Sequence, residues 1–329
     1  KNFLSFCMNS FWLSGEPRKF VIWHLRISTP FFFIMRGDYW QSARTDGMDL
    51  LLGLDVGTTT VKGLACDASG RKQAFASCPV GLLKPHPAWV EQDAEELWQA
   101  VVWVCREIVR QLPSGNRICA LSLSSQGGTT IPVDARSNPT SMAFSWMDER
   151  GIEEAESARL ALGGEWIYAT TGWPLFPGQP LNHIAWFRKN CPERFADTRR
   201  FMFVNDYILQ KFSGELCMDP SNAGITQLYN LEKNDWDERL FALAGASSGQ
   251  LSPISPSGAV IGNLIGTAAS ITGLDAGIPV VNGAHDQYCA ALGTGVTQPG
   301  EVLLSCGTAW VVLVVPPGLQ AAFRSGLCV

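Results

Sequence analysis

An acidic side chain and three hydroxyl side chains flank a glycine in the turn that follows the first clearly apolar segment of the chain. Residues 51–62 read LLGLDVGTTTVK, in which Asp55 precedes Gly57 and in which Thr58 and Thr59 follow it. Backbone N–H groups in a tight glycine turn can converge on an anion, and a carboxylate at the end of a strand can hold water around a divalent cation. We expect Gly57 to adopt a backbone conformation closed to other residues. The pattern predicts a phosphate-binding hairpin with Asp55 as a water-mediated Mg²⁺ ligand; an ordinary β-hairpin is the alternative.

A related segment occurs far downstream. Residues 304–311 read LSCGTAWV and align with residues 54–61, LDVGTTTV, so that Ser305 takes the place of Asp55. Two such hairpins in one chain resemble the actin-like ATPase superfamily, in which two duplicated domains clamp a nucleotide. The resemblance implies an α/β class and an actin-like ATPase (RNase H-like) fold, with a mixed sheet flanked by helices and the second domain truncated.

The periodicity of apolar residues is consistent with that fold. It predicts strands near 49–55, 60–67, 72–79, 118–124, 129–133 and 279–282, a long helix from about 93 to 112, a helix-rich segment over 147–270 that continues the same domain, a short helix over 288–292 and a second hairpin over 301–315. The strand ending at Ser124 leads into a polar turn that contains Gln126. Ligands of open α/β sheets collect outside the carboxyl ends of strands, so this turn is a candidate pocket wall.

Four separated motifs resemble the FGGY family of carbohydrate kinases, over about residues 49–315. They are DVGTT at 55–59, WMDER at 146–150, GAHDQ at 283–287 with GTG at 293–295, and SCGT at 305–308. The family resemblance implies an ATP-dependent kinase that transfers the γ-phosphate to a sugar hydroxyl, with ATP and Mg²⁺ as cofactors.

The resemblance also assigns roles to individual residues. Asp286 would be the general base, for which a helix-capping aspartate is the alternative. The Mg-bound phosphates would be held by Asp55, Gly57, Thr58, Thr59, Gly307 and Thr308. The sugar would be bound by Gln126, Trp146, Asp148, Arg150 and Gln287, with a cap at a helix start as the alternative for Arg150. His183 and His285 are expected to have structural or pocket-lining roles.

Departures from the family pattern bear on the substrate. Glycerol kinases of the family carry an Arg-Glu pair where this chain has Gly127 and Gly128, and an aromatic residue where it has Gly178. These differences argue against glycerol and leave room for a ketopentose, a sugar acid or a related polyol. Xylulose is the best single expectation, although the Met-His-Gly sequence typical of xylulokinases is absent after Gln126.

Composition limits the partners. The 329 residues carry a formal charge of −5 and are 46% hydrophobic, which is typical of a globular protein and argues against nucleic acid or an anionic membrane as the main partner. The ten cysteines are scattered singly, which favours reduced thiols in a cytoplasmic protein. The expected partner is a small-molecule sugar, and a homodimer of the full-length protein is left open.

Three segments are predicted along the chain. Residues 1–47 form a leader outside the family pattern, residues 48–297 the sugar-binding domain, and residues 298–329 the beginning of a nucleotide-binding domain. Because the family's adenosine-binding segment lies in its second domain, we expect this chain to be an incomplete fragment with little kinase activity. The alternatives are a non-catalytic sugar-binding or regulatory protein of the same fold, and an actin-like ATPase with a non-sugar target.

Overall fold

The structure, a computed structural model, describes residues 20–22, 34–36, 47–306, 310–318, 322–323 and 328. Its strands are β1 Phe20–Ile22, β2 Ile34–Arg36, β3 Asp49–Val56, β4 Thr60–Cys66, β5 Lys72–Pro79, β6 Leu83–His86, β7 Trp89–Gln92, β8 Arg117–Ser125, β9 Thr130–Val133, β10 Ala143–Phe144, β11 Arg200–Phe203, β12 Tyr229–Asn230, β13 Asp235–Trp236, β14 Val260–Asn263, β15 Pro279–His285, β16 Val302–Cys306 and β17 Trp310–Val314. Its α-helices are α1 Ala94–Gln111, α2 Ile152–Leu162, α3 Gly164–Thr171, α4 Pro180–Asn190, α5 Pro192–Asp197, α6 Val204–Ser213, α7 Pro220–Gly224, α8 Glu238–Ala244, α9 Gly266–Thr272 and α10 Asp286–Thr294.

The main sheet is mixed and has the strand order β14-β15-β8-β3-β4-β5. Strands β3, β8 and β15 run parallel to one another, whereas β4, β5 and β14 are antiparallel to their neighbours. The carboxyl ends of β3, β8 and β15 therefore meet at one edge of the sheet. The predicted α/β class and mixed sheet are confirmed.

Helix α1 covers one face of this sheet. It begins after Asp93, whose carboxylate accepts hydrogen bonds from the backbone N–H groups of Glu95 and Glu96, as expected of a helix-capping residue. Its buried residues recur at helical spacing and join those of β3, β4 and β8 in one apolar core, which also receives α6 and α9. Burial of this stripe fixes the strands whose ends carry the site.

A second sheet has the order β11-β9-β10-β7-β6; its strand β9 was predicted near 129–133, but its other four strands and the sheet itself were not. It lies within and beside the segment that the periodicity predicts as helix-rich, and a second core packs around it, built from aromatic residues such as Phe187, Phe201 and Phe241. Several of its strands are only two to four residues long. Strands this short carry too little alternation of polar and apolar residues to be recognised from sequence.

The two ends of the chain are described only in part. Strands β1 and β2 pair antiparallel, a regular element that the sequence did not indicate within the predicted leader. Most of the leader prediction, residues 1–47, lies outside the described residues. The predicted second hairpin is present as β16 paired with β17, but Gly307 and Thr308 at its turn lie outside the described residues.

Among the described residues, no helix combines the length and the apolar character that crossing a bilayer requires. The cysteines within the same residues are free thiols, as predicted.

Candidate active site

Two carboxylates converge at the carboxyl edge of the main sheet. Asp55 lies near the end of β3 and pairs in register with Ser124 of β8, which pairs with Ala284 of β15 on its other side. Asp286 follows directly after β15 as the first residue of α10. Because β3 and β15 flank β8, the two acids lie at the same edge of the sheet although they are far apart in sequence.

Asp55 is held by two neighbours. Its side chain is 18% exposed, and its carboxylate accepts hydrogen bonds from the Lys62 ammonium at 3.3 Å and from the Ser124 hydroxyl at 2.8 Å. Burial raises the pKa of Asp55 above its usual range, against the lowering effect of Lys62 and Ser124. A divalent cation would stabilise the ionised carboxylate of an acid that is largely buried and lies near a second acid.

Asp286 is accessible and lies at the start of a helix. Its side chain is 30% exposed, and Oδ1 is 3.4 Å from Nε2 of His285, the last residue of β15. The start of α10 favours a negative charge because the free N–H groups of the first turn point toward it. The prediction of a strand-to-helix turn at Asp286 is confirmed. The helix cap is His285 rather than Asp286, and it makes no side-chain capping bond.

The first hairpin turn differs from the prediction at Gly57. This glycine does not adopt the left-handed conformation that we expected; a Cβ there would lie 3.1 Å from the carbonyl oxygen of Thr60, to which the Gly57 N–H donates. The glycine is therefore explained by close approach within the turn. The Thr59 side chain is exposed, and the Thr58 hydroxyl accepts a hydrogen bond from Trp146 at 3.0 Å while keeping its own proton to donate.

Two buried glutamines connect the hairpin to the turn after β8. Gln92 donates to the Thr58 carbonyl at 2.9 Å and accepts from the amide of Gln126 at 2.8 Å. The backbone N–H of Gln126 donates to the carbonyl of Val56. Gln126 therefore lies beside the hairpin as predicted for the pocket wall, with its amide engaged within the protein. Gln92 was missed because a single glutamine in a strand carries no sequence pattern.

Asp148 and Arg150 form a buried ion pair. The guanidinium of Arg150 is 2% exposed and donates to both oxygens of Asp148 and to Glu91, and Asp148 also accepts the N–H of Val90 at 2.7 Å. The guanidinium lies among the rings of Trp89, Phe144 and Trp186, between 4.2 and 4.9 Å from their centroids. These contacts fix the segment that carries Trp146. Direct sugar contacts by Asp148 and Arg150 stay a prediction, as does that of Trp146.

His183 is enclosed in the protein, as expected of a structural histidine. Its Nδ1 lies 3.3 Å from the Thr130 hydroxyl and its Nε2 lies 3.2 Å from the carbonyl oxygen of Asp148. Burial lowers the pKa of His183 to about 4, so the ring is neutral at physiological pH.

Several buried polar atoms near the carboxyl edge of the main sheet lack a hydrogen-bond partner among the described residues. They are Oε1 of Gln287, Nδ1 of His285 and Oε1 of Gln179. Buried polar atoms in folded proteins are nearly always hydrogen-bonded, so three of them near one edge of the sheet indicate a place for a polar ligand or water. The sequence singled out Gln287, but Gln179 was missed.

The described residues contain no cluster of three or more histidine, cysteine, aspartate or glutamate side chains that could hold a metal ion. The carboxylates of Asp55 and Asp286 are a donor set that suits Mg²⁺, which is usually bound through one or two carboxylates together with water and substrate phosphates.

Comparison with known proteins places the chain in a family. The sequence profile of the FGGY family of carbohydrate kinases, N-terminal domain, matches residues 50–293. Gluconokinase of Bacillus subtilis (strain 168) is 29% identical over 265 residues, covering 80% of this chain and 52% of that protein. L-xylulose/3-keto-L-gulonate kinase of Escherichia coli (strain K12) is 30% identical over 278 residues, covering 84% of this chain and 55% of that protein.

Solved structures show the same fold. The crystal structure of xylulose kinase from Rhodospirillum rubrum superposes with a TM-score of 0.80 at 27% identity, covering 83% of this chain and 56% of that chain. The predicted actin-like ATPase fold is confirmed by this likeness. The chain spans about half the length of the curated relatives it matches. Since the family profile matches most of the sequence, the chain belongs to the FGGY family of carbohydrate kinases.

Proposed function

We propose that this chain binds a sugar and takes part in ATP-dependent phosphorylation of one of its hydroxyl groups. The observation that carries the proposal is the convergence of Asp55 and Asp286 at the carboxyl edge of β3, β8 and β15. Asp55 is held by Lys62 and Ser124, whereas Asp286 is accessible at the start of α10. Family membership and the sugar-kinase names of the relatives support the same activity.

In this proposal Asp286 is the general base. Its carboxylate takes the proton of the acceptor hydroxyl as that oxygen forms its bond to phosphorus, which makes the oxygen a better nucleophile. The accessible position of Asp286 at the start of α10 allows a substrate hydroxyl to approach it. After transfer the proton resides on Asp286 until solvent removes it.

Asp55 and the hairpin turn would hold the phosphate groups and Mg²⁺. Asp55 would bind the ion through water, and Thr58 and Thr59 would face the phosphates with N–H and hydroxyl donors. Gly57, whose own N–H donates to the Thr60 carbonyl, would contribute by allowing the tight turn that brings them there. We propose the same roles for Gly307 and Thr308. When bound, MgATP supplies the phosphoryl group and a leaving group whose charge is neutralised by the ion.

The sugar would lie between the Asp286 edge and the Trp146 segment. The flat indole suits the C–H face of a polyol, and Gln287 offers an amide oxygen without a partner among the described residues. Gln126, whose amide bonds Gln92 and Thr129, would shape the wall beside the sugar. Glycerol is disfavoured because Gly127, Gly128 and Gly178 replace the larger side chains of glycerol kinases. Among the substrates named for relatives, xylulose and gluconate are the first candidates to test.

The test compares wild-type protein with Asp286→Asn. ADP release with and without sugar is measured for the wild type and the variant, each as the 329-residue chain and as the protein that the gene encodes. Sugar binding by the same proteins is measured by calorimetry. We expect sugar-dependent ADP release to fall by a factor of about 10² to 10⁴ in the variant, with sugar affinity changed only a few-fold. Equal sugar-dependent ADP release by the wild type and by Asp286→Asn would contradict the role of Asp286. Sugar binding by the wild type without ADP release would favour a non-catalytic sugar-binding function.

A further inference from the structure

Two consecutive glycines, Gly127 and Gly128, let the turn after β8 pack closely against His285, the neighbour of Asp286, and against Trp146. A Cβ on Gly127 would lie 2.4 Å from Cδ2 of His285, and a Cβ on Gly128 would lie 3.2 Å from Cβ of Trp146. Gly128 also has a φ of +77°, a conformation that side chains rarely adopt. Ile225 lies within 4 Å of both Cβ positions, so His285, the glycine turn and Trp146 pack together as one continuous surface.

Gln179 lies on the far side of this surface from Asp286. Its Oε1 would be 3.9 Å from a Cβ at Gly128, the residue is 5% exposed, and this oxygen has no hydrogen-bond partner among the described residues. The backbone of Gln179 is fixed because its carbonyl accepts the N–H groups of Asn182 and His183 in the first turn of α4. Its side chain makes no capping bond to that helix. A buried amide that is held in place and left unpaired is suited to a polar ligand.

The charges of the surrounding motifs oppose an anionic substrate. Asp55 and Asp286 are acidic, and the two cations of these motifs are already paired. Lys62 bonds Asp55 at 3.3 Å, and the 2% exposed guanidinium of Arg150 bonds Asp148 and Glu91 at 2.8 and 2.7 Å. A substrate carboxylate bound among these motifs would meet like charge and lose its hydration, and neither Lys62 nor Arg150 is unpaired to receive it.

Resting on the proposed function, we propose that Gln179 is a substrate-binding residue and that this site takes an uncharged sugar rather than a sugar acid. The amide would exchange hydrogen bonds with a sugar hydroxyl or carbonyl at the end of the substrate away from Asp286. This assignment distinguishes uncharged sugars from sugar acids. Both classes are represented in the names of relatives, uncharged sugars by xylulose and sugar acids by gluconate.

The experiment combines a substrate panel with variants of one residue. Sugar-dependent ADP release and calorimetric affinity are measured for D- and L-xylulose and for gluconate and 3-keto-L-gulonate. The proteins are wild type, Gln179→Leu, which removes the amide at similar volume, and Gln179→Glu, which keeps the size and adds a negative charge. Gln99→Leu is the matched control, because Gln99 is exposed on α1 and its amide donates to Glu95 on the same helix. Unfolding temperatures identify any variant that fails to fold.

We expect an uncharged ketose to give the higher kcat/KM and Gln179→Leu to weaken its binding by about tenfold or more, with Gln99→Leu within twofold of wild type. If Gln179→Leu does not fold, the same loss is expected from Gln179→Glu. A higher kcat/KM for gluconate or 3-keto-L-gulonate would overturn the inference and leave the kinase proposal standing. Unchanged ketose affinity in a folded Gln179 variant would also overturn it. Absence of stimulation by every sugar would instead remove the proposed function on which the inference rests.

Discussion

The indole N–H of Trp146 donates a hydrogen bond to the hydroxyl of Thr58 at 3.0 Å. This bond joins the segment proposed to bind the sugar to the hairpin turn proposed to bind phosphate. It also directs the Thr58 proton away from Trp146, toward an acceptor elsewhere. Loss of this bond would therefore remove one of the contacts that hold the two segments together.

Trp146→Phe tests this connection. The substitution keeps an aromatic ring and removes the N–H, so we expect sugar affinity to change little and turnover to fall several-fold to about tenfold, as one oriented hydrogen bond is lost. Steady-state kinetics and calorimetry separate the two quantities. Trp103→Phe is the control because Trp103 is 47% exposed on α1. Weaker sugar binding with unchanged turnover would show that Trp146 acts only as a sugar wall.

Arg150→Met is expected to destabilise the protein strongly. It leaves the fully buried carboxylate of Asp148 without its ion-pair partner, which costs about 3–5 kcal/mol in other buried pairs. Urea unfolding measures the change, and adding Asp148→Asn should restore part of it. The same substitution at Arg159, in an exposed pair with Glu156, should cost about 1 kcal/mol or less. Similar losses at both arginines would contradict the role assigned to the buried pair.

Gly127→Ala tests the close approach of the glycine turn to His285. Because a Cβ would lie 2.4 Å from a carbon of a buried ring, the ring or the turn must move, which we expect to cost about 1–3 kcal/mol and to reduce sugar binding. Thermal unfolding and calorimetry provide the two readings. Gly266→Ala is the control, since a Cβ there would meet nothing within 4 Å. Wild-type stability and binding in Gly127→Ala would show that the turn has room for a side chain.

Asp206→Asn should stabilise the protein at neutral and higher pH. Burial raises the pKa of Asp206 to about 7, although its carboxylate accepts from the Ser252 hydroxyl and the Phe203 N–H. Between pH 3.8 and 7 the folded protein holds a proton that the unfolded chain has released, so stability falls as pH rises through this window. Asp206→Asn removes the titrating group, so the fall in unfolding free energy with rising pH should disappear in this window. The half-buried Asp134, whose pKa is lowered by its bonds to Asn138, should show no gain on substitution by Asn. A stability profile of Asp206→Asn parallel to wild type would contradict the assignment.

Much of the main sheet could be predicted from sequence, because β3, β4 and β8 are long and bounded by clear turn residues. The position of Asp286 after a strand could also be predicted, since small residues surround it. The second sheet could not, because its short strands pair across long separations in the chain. The neighbours of Arg150 depend on that sheet: Glu91 lies in β7 and Phe144 in β10. Gln92 and Gln179 carry no local pattern, and their importance follows only from burial and from the atoms around them.

The most direct test of the kinase proposal follows the phosphoryl group itself. The protein that the gene encodes is incubated with MgATP and a ketose, and ³¹P NMR records the products. We predict a sugar phosphate ester that grows in step with ADP and disappears in Asp286→Asn. Formation of inorganic phosphate alone, at the same rate with and without sugar, would contradict the proposal and favour an ATPase with a non-sugar target.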